Sequence, residues 1–377
     1  MILSTKARQL LLLSLALALG QPTARALLNI DGSRNQVFVF GSVNFAYSSN
    51  IFSDSSGRGD YSSTSEVGLE LKRRAGIIAV DATFKVDYQG FNKYTGENSL
   101  NPSFAIEFDK TVGRTTGAFT VSAFRETRSD TVANLLTSSW NFPLGLNIKY
   151  PINDKFYFTS SSSYLQRNYS TSTVLTNLTD YSEGVDLFYV YTSKLDLLAG
   201  YRLRVSRTTN GNDTTDHWFN IGATGGLFAK LNGSVRLGYQ IRDDRGGNES
   251  FTHVNALASV GWPITRKLTL ASQISRDFNT VATGASIDSS SISLRAIYAY
   301  SRKLELDGGV SYGRNLFLGQ TGPQRRDDFF SWDVGAHYKL NEHLTLGASY
   351  TYFKNWSTVS LSDFDRTGFS FDASSRF

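Results

Sequence analysis

The chain has 377 residues, of which 40% are hydrophobic, 13% aromatic and 19% charged, with 32 glycines, 6 prolines and no cysteine. The composition excludes a disulfide scaffold, and beyond the N-terminal leader no apolar run approaches the roughly 20 residues of a membrane helix. The formal charge is +5, but losing Lys6, Arg8 and Arg25 with a cleaved leader leaves 35 basic against 33 acidic residues, which excludes a general nucleic-acid footprint.

The N-terminus opens with Lys6 and Arg8, an apolar run from Leu10 to Leu19, and the A-x-A site Ala24-Arg25-Ala26. This pattern predicts a secretory signal peptide over 1–26, followed by a short periplasmic segment over 27–35. No lipid-attachment cysteine follows Ala26.

From residue 36 the chain settles into a period of two. Strands are predicted near 36–48, 64–74, 76–90, 102–112, 115–128, 138–150, 155–169, 180–191 and 195–208. Others follow near 215–226, 230–243, 250–262, 267–278, 287–300, 303–316, 326–339, 342–355 and 364–377. That is eighteen; the alternative is sixteen, if 102–112 and 115–128 are not strands. In the latter, Phe124 falls on the polar face. The alternation is clear elsewhere. Leu231, Val235, Leu237, Tyr239 and Ile241 share one face, while Asn232, Ser234, Arg236, Gln240 and Arg242 share the other.

A soluble sandwich would alternate in the same way. Three features favour a membrane barrel. Strands of about 12 residues exceed the usual soluble length of 5–6. Connections alternate short and long, and aromatics such as Tyr47, Trp140, Tyr191, Trp262 and Tyr300 gather near strand ends. The expected fold is therefore all-β: a transmembrane antiparallel up-and-down β-barrel over 36–377, multi-pass in the bacterial outer membrane. Short links such as Ala75-Gly76, Ser301-Arg302 and Leu340-Asn341 face the periplasm, and long ones such as 50–63 and 91–101 face outside. These loops predict partial constriction of an aqueous lumen.

The last stretch alternates too, with Phe369, Phe371 and Phe377 on the apolar face and Gly368 just before them. Gly368, Phe369, Phe371 and Phe377 resemble the terminal-strand signal read by the barrel assembly machinery. The last strand is expected to close the barrel against the first, near Val37 to Tyr47.

The polar faces carry charge unevenly. Glu66, Glu70, Asp81, Asp87, Glu107 and Asp109 lie on strands two to four, interrupted by Lys72 and Lys85. Arg202, Arg204, Arg236, Arg242 and Arg295 lie on strands nine, eleven and fourteen. In an eighteen-strand ring these groups face each other, which predicts acidic and basic walls and a transverse field across the lumen. All eleven are candidate pore-lining residues.

No catalytic, cofactor or metal constellation emerges. His217, His253, His337 and His343 fall on separate strands without metal-ligand spacing, and none has a serine within two residues. Arg58-Gly59-Asp60 spells an adhesion-type tripeptide in the first outer loop, and Gly246-Gly247 reads as a loop tip.

Two stretches carry a family resemblance. Ala46-Tyr47-Ser-Ser-Asn50-Ile51-Phe52 closes the first strand; Tyr350-Thr-Tyr352, Asn355-Trp-Ser357 and Asp365-Arg366 lead into the last. With the leader, the length and the terminal Phe, they resemble the putative β-barrel porin 2 family, outer-membrane barrels that accompany exopolysaccharide or capsule systems. The resemblance implies a non-enzymatic channel that passes or exports a hydrophilic solute, foremost exopolysaccharide. The alternative is a non-conducting barrel that binds surface polysaccharide or a partner. Expected partners are outer-membrane lipid, the barrel assembly machinery, polysaccharide and export-system proteins.

Overall fold

The computed structural model describes residues 28–30, 34–170, 174–245, 249–319 and 322–377. The expected signal peptide and the Gly246-Gly247 tip lie outside the described residues. The strands are β1 (Leu28–Ile30), β2 (Asn35–Ser48), β3 (Asp60–Arg73), β4 (Ala79–Phe91), β5 (Ser99–Lys110), β6 (Thr116–Asp130) and β7 (Leu135–Pro151). Next come β8 (Phe156–Tyr169), β9 (Leu178–Val190), β10 (Leu195–Thr208), β11 (Thr214–Gly226), β12 (Asn232–Asp244) and β13 (Glu249–Pro263). The last six are β14 (Leu268–Thr280), β15 (Ser286–Ala299), β16 (Leu304–Phe317), β17 (Arg326–Lys339), β18 (Leu344–Ser357) and β19 (Phe364–Arg376). From β2 onward each strand pairs antiparallel with the next, and β19 returns to β2. The eighteen-stranded up-and-down barrel expected from the alternation is therefore present, including the two weakest strands.

The period of two sets inside from outside. On β12, Leu237 and Tyr239 are 55% and 46% exposed on the outer face, while the inward Gln240 and Arg242 are fully buried. A continuous outward apolar band with a polar interior is what a bilayer selects. Closure leaves no open edge in the hydrocarbon, where an unpaired backbone group costs several kcal/mol, about as much as an unmade hydrogen bond in oil.

The seam differs from expectation at one end. β19 pairs with β2 from Gly368 opposite Ser48 to Arg376 opposite Phe40. Val39 and Phe377 add a reciprocal pair of backbone bonds at 2.9 and 2.8 Å. Below them β1 takes over, with Leu28 opposite Val37 and Ile30 opposite Asn35. The N-terminal segment expected to lie free in the periplasm thus supplies a strand, and it covers β2 backbone that β19 does not reach.

Five of the short turns share one local device. Thr192 Oγ1 accepts bonds from the N–H groups of Lys194 and Leu195, and Thr265, Ser301, Asn341 and Asn153 do the same for the residues two and three places on. These Asx- and hydroxyl-turns satisfy two donors and pin the register of the hairpin. The sequence signature is Ser/Thr/Asn, any residue, Lys or His, then Leu or Phe.

Candidate functional site

At the long-loop end the wall is not a simple cylinder. β5 stays paired with β4 up to Ser99, yet its ladder to β6 starts only at Ser103 opposite Phe124. β13 stays paired with β12 up to Glu249, yet its ladder to β14 starts only at Ala256 opposite Arg276. Above these points the ends of the β6–β7 and β14–β15 hairpins leave the wall and fold inward. Side-chain parity proves the direction. Phe278 follows Ile274 and Arg276 on the outward face of β14, but its ring stacks 3.9 Å from the ring of His253, which points inward from β13. Leu136, on the outward face of β7, packs against the buried cluster of Ile51, Phe52 and Phe91, of which Phe91 points inward from β4. Each hairpin end has slipped behind its neighbour, so its outer face rests on the neighbour's inner face.

Charge holds the β14–β15 end. Asp216 on β11 accepts bonds from Arg242 Nε and Nη2 at 2.7 and 2.8 Å and from Arg204 Nε at 2.7 Å. Arg204 reaches on to Asp277 at 3.2 Å and to the carbonyl of Phe278, while Arg242 donates to the carbonyl of Asn279 at 2.9 Å. His253 bridges Gln240 and Asp288 at 3.0 and 3.1 Å. The tip docks on the far loops through Thr176 N to Ala282 O at 2.8 Å and Asn212 Nδ2 to Gly284 O at 3.4 Å.

Mostly neutral groups hold the β6–β7 end. Asn134 Nδ2 donates to Ser53 O at 2.5 Å, Ser362 Oγ donates to Asn134 Oδ1 at 2.6 Å, and the hydroxyls of Ser53 and Ser129 meet at 2.5 Å. Ser53 and Asn134 have φ of +56°, the left-handed backbone that non-glycine residues visit at a cost. Ile51, Phe52 and Phe91 form a buried cluster beside them. Arg325 Nη1 donates to Val132 O at 3.3 Å, so loops from opposite sides of the barrel meet above the lumen. Constriction is therefore stronger than the loop lengths implied.

All eleven candidate pore-lining residues lie on inward faces, but seven of them stand in short-range ion pairs. Arg236 is paired with Asp186 at 2.8 Å, Arg295 with Asp307 and with Asp333 at 2.7 Å, and Arg204 and Arg242 with Asp216. On the acidic side Glu66 meets Lys85 at 2.8 Å, Glu70 meets Lys72 and Arg376 at 3.1 and 2.6 Å, and Asp81 meets Arg74 at 2.7 Å. Asp87 is bonded by Asn101 at 2.9 Å. Glu107 lies opposite Asp81, and Asp109 opposite Ala79. Short-range pairing leaves Asp87, Glu107 and Asp109 on one side and Arg202 on the other outside the ion pairs of the described residues. Its aspartates sit on the same polar faces, but only the register between strands reveals which arginine each one meets. Arg202 differs: its guanidinium lies 4.5 Å over the Trp218 ring, and among the described residues it forms no ion pair.

The adhesion-type tripeptide is structural. Asp60 is buried and accepts bonds from the N–H groups of Lys93 and Tyr94 at 2.8 and 3.0 Å, and Arg58 is paired with Asp54. The histidines are dispersed. His217 meets Tyr201 at 2.8 Å on the outer face, His337 meets Asp307 at 3.2 Å in the lumen, and His343 stacks on Phe377 at the turn end.

Comparison with known proteins agrees with this architecture. Residues 200–376 match the family model described as "Putative beta-barrel porin 2", so the resemblance carried by the sequence holds over that stretch. No curated protein matches the chain. Among solved structures, OpdK (OccK1) of Pseudomonas aeruginosa has a TM-score of 0.54 at 11% identity, covering 90% of this chain and 99% of its own. OccAB3 of Acinetobacter baumannii has a TM-score of 0.50 at 9% identity, covering 92% and 100%. At such identities the likeness is one of fold, and the fold is that of outer-membrane β-barrels.

Proposed function

We propose that the barrel is a passive outer-membrane channel for small hydrophilic solutes. The observation that carries this reading is the lumen itself: an inner wall of paired charges, amides and hydroxyls, narrowed at the loop end by two hairpins of the barrel's own strands. Hydrophilic solutes would exchange water for these groups as they pass, and the narrow outer half would select by size. Planar-bilayer recording of the refolded chain tests it. Discrete conductance steps are expected; a silent barrel would overturn the channel reading.

Silence would favour the second reading, a non-conducting scaffold whose outer loops bind surface polysaccharide or a partner. The contacts from Arg325 to Val132 and from Ser362 to Asn134 are the observation on its side, because they tie loops together across the mouth. Exopolysaccharide is the polymer-sized form of the channel reading, and a sugar chain would require those contacts to part. Gene deletion followed by assay of surface polymer tests it; normal surface polymer counts against it.

Arrival at the membrane follows the same proposal. Export would use the 1–26 leader, and insertion would use Gly368, Phe369, Phe371 and Phe377 as the strand presented to the assembly machinery. The outward exposure of Phe369 and Phe371 and the backbone pairing of Phe377 with Val39 support that role. Deleting Phe377 should impair insertion and leave the conductance of inserted barrels unchanged; normal heat-modifiable folding of the truncated chain would overturn it.

A further inference from the structure

A cavity of about 290 Å³ lies in the lumen between the inward β6–β7 end and the inner wall of the seam. Its polar lining includes Arg366, Gln89, Thr351 and Ser370. Ile51, Phe91 and Leu136 give it an apolar side. Arg366 is the unusual member. Four other sheltered arginines of the lumen have carboxylates close by: Arg204 and Arg242 share Asp216, Arg236 has Asp186 and Arg325 has Asp327, all at 2.6 to 2.8 Å, whereas Arg202 lies over the Trp218 ring, away from this cavity. The Arg366 guanidinium donates to Ser53 Oγ at 3.0 Å and lies 5.4 Å from the Phe353 ring centre. Neither contact neutralises it, and among the described residues no carboxylate lies within ion-pair distance. A sheltered cation without an anion is costly. Here it faces a space large enough for a solute.

We propose that this cavity is a binding station for a small organic acid bearing one carboxylate and several hydroxyls. The carboxylate takes the free edge of the Arg366 fork, whose planar geometry matches two carboxylate oxygens. Solute hydroxyls bond Gln89, Thr351 and Ser370, and the carbon skeleton rests on Ile51 and Leu136. Arg128 lies at the same cavity but already has Glu126 at 3.7 Å, so the site lacks one negative charge rather than two. That balance favours a monocarboxylate over phosphate. The assignment rests on the channel reading only for how the solute arrives, not for binding itself.

Titration calorimetry on the refolded full chain in detergent tests it, with D-glucuronate, D-glucose and inorganic phosphate as probes. Glucuronate is expected to bind, phosphate to bind about tenfold more weakly, and glucose to give no measurable heat. Arg366→Gln should weaken glucuronate by about tenfold or more, the worth of one charge-assisted contact, and Arg302→Gln, in a short turn outside the cavity lining, should leave it unchanged. If Arg366→Gln fails to refold, Thr351→Val gives the second reading, with a smaller expected loss. Equal binding of glucose, phosphate binding as tight as glucuronate, or undiminished glucuronate binding in Arg366→Gln or in the Thr351→Val substitute would overturn the assignment. Binding without conductance would sink the channel reading alone; conductance without glucuronate binding would sink this site alone.

Discussion

The two hairpins that fold into the barrel perform one geometric task with different chemistry. β14–β15 is held by a carboxylate shared between two guanidiniums and by an aromatic ring on an imidazole. β6–β7 is held by amides, hydroxyls and a small apolar cluster, with Arg325 adding a bond to the Val132 carbonyl rather than to a carboxylate of the hairpin. The difference bears on how each would open. Removing one partner of a buried ion pair leaves an uncompensated charge and costs about 3–5 kcal/mol, whereas an orphaned neutral group costs about 1–3 kcal/mol. The charged latch should therefore release as a unit, and the neutral one should loosen in steps.

The largest effects are expected on the charged side. Asp216→Ala strands Arg242, leaves Arg204 with Asp277 alone and should weaken the outer half by about 3–5 kcal/mol, read as a lower midpoint for heat-modifiable unfolding and a higher single-channel conductance. Phe278→Ala removes a ring that is 1% exposed and should cost a similar amount, about 3–5 kcal/mol. A Phe278→Ala barrel with unchanged conductance and unchanged hydrogen exchange over 277–288 would show that this hairpin is not held by its back face. On the neutral side Asn134→Ala should cost about 1–3 kcal/mol and speed exchange only around 129–136 and at Ser53. A collapse as large as that of Asp216→Ala would erase the distinction between the latches.

The cylinder was legible in the sequence and the inward folds were not, for a definite physical reason. Alternation reports which face a residue occupies, and it places Arg276, Phe278 and Asp288 with Ile274 and Ile292 on the outward face. It does not report whether the strand is still in the wall. Nevertheless a sign was present. Arg276 and Asp288 put charge on a face that otherwise meets lipid, and they pair at 2.7 Å beneath His253, where lipid does not reach. Leu136 and Ser129 gave no such sign, because an apolar or small residue is at home on either side. The lumenal ion pairs were hidden differently. Asp186, Asp216, Asp277, Asp307 and Asp333 were on the predicted polar faces, but their partners follow from register, which is set by turn geometry and hydrogen bonding rather than by period.

The smallest expected effect sharpens the comparison through pH. Asp54 lies in the loop between β2 and β3, beside the neutral latch. Burial alone would raise its pKa, but hydrogen bonds from Ser56 and Arg58 outweigh burial and hold the carboxyl below its usual 3.8. A carboxyl lowered by folding contributes stability above its unfolded pKa and loses it as pH falls through the folded one. From neutral pH to about 4 the loop should therefore be unchanged. Below 3.8, protonation frees Arg58, which lies 3.9 Å over the Phe52 ring, and unseats the cluster that backs β6–β7. Protease nicking of the 49–59 loop should rise between pH 4 and pH 2.5 in the parent barrel, while Asp54→Asn should be nicked equally at both. A parent barrel as resistant at pH 2.5 as at pH 7 would detach Asp54 from the latch and leave the neutral hairpin dependent on Ser53, Asn134 and Ser362 alone.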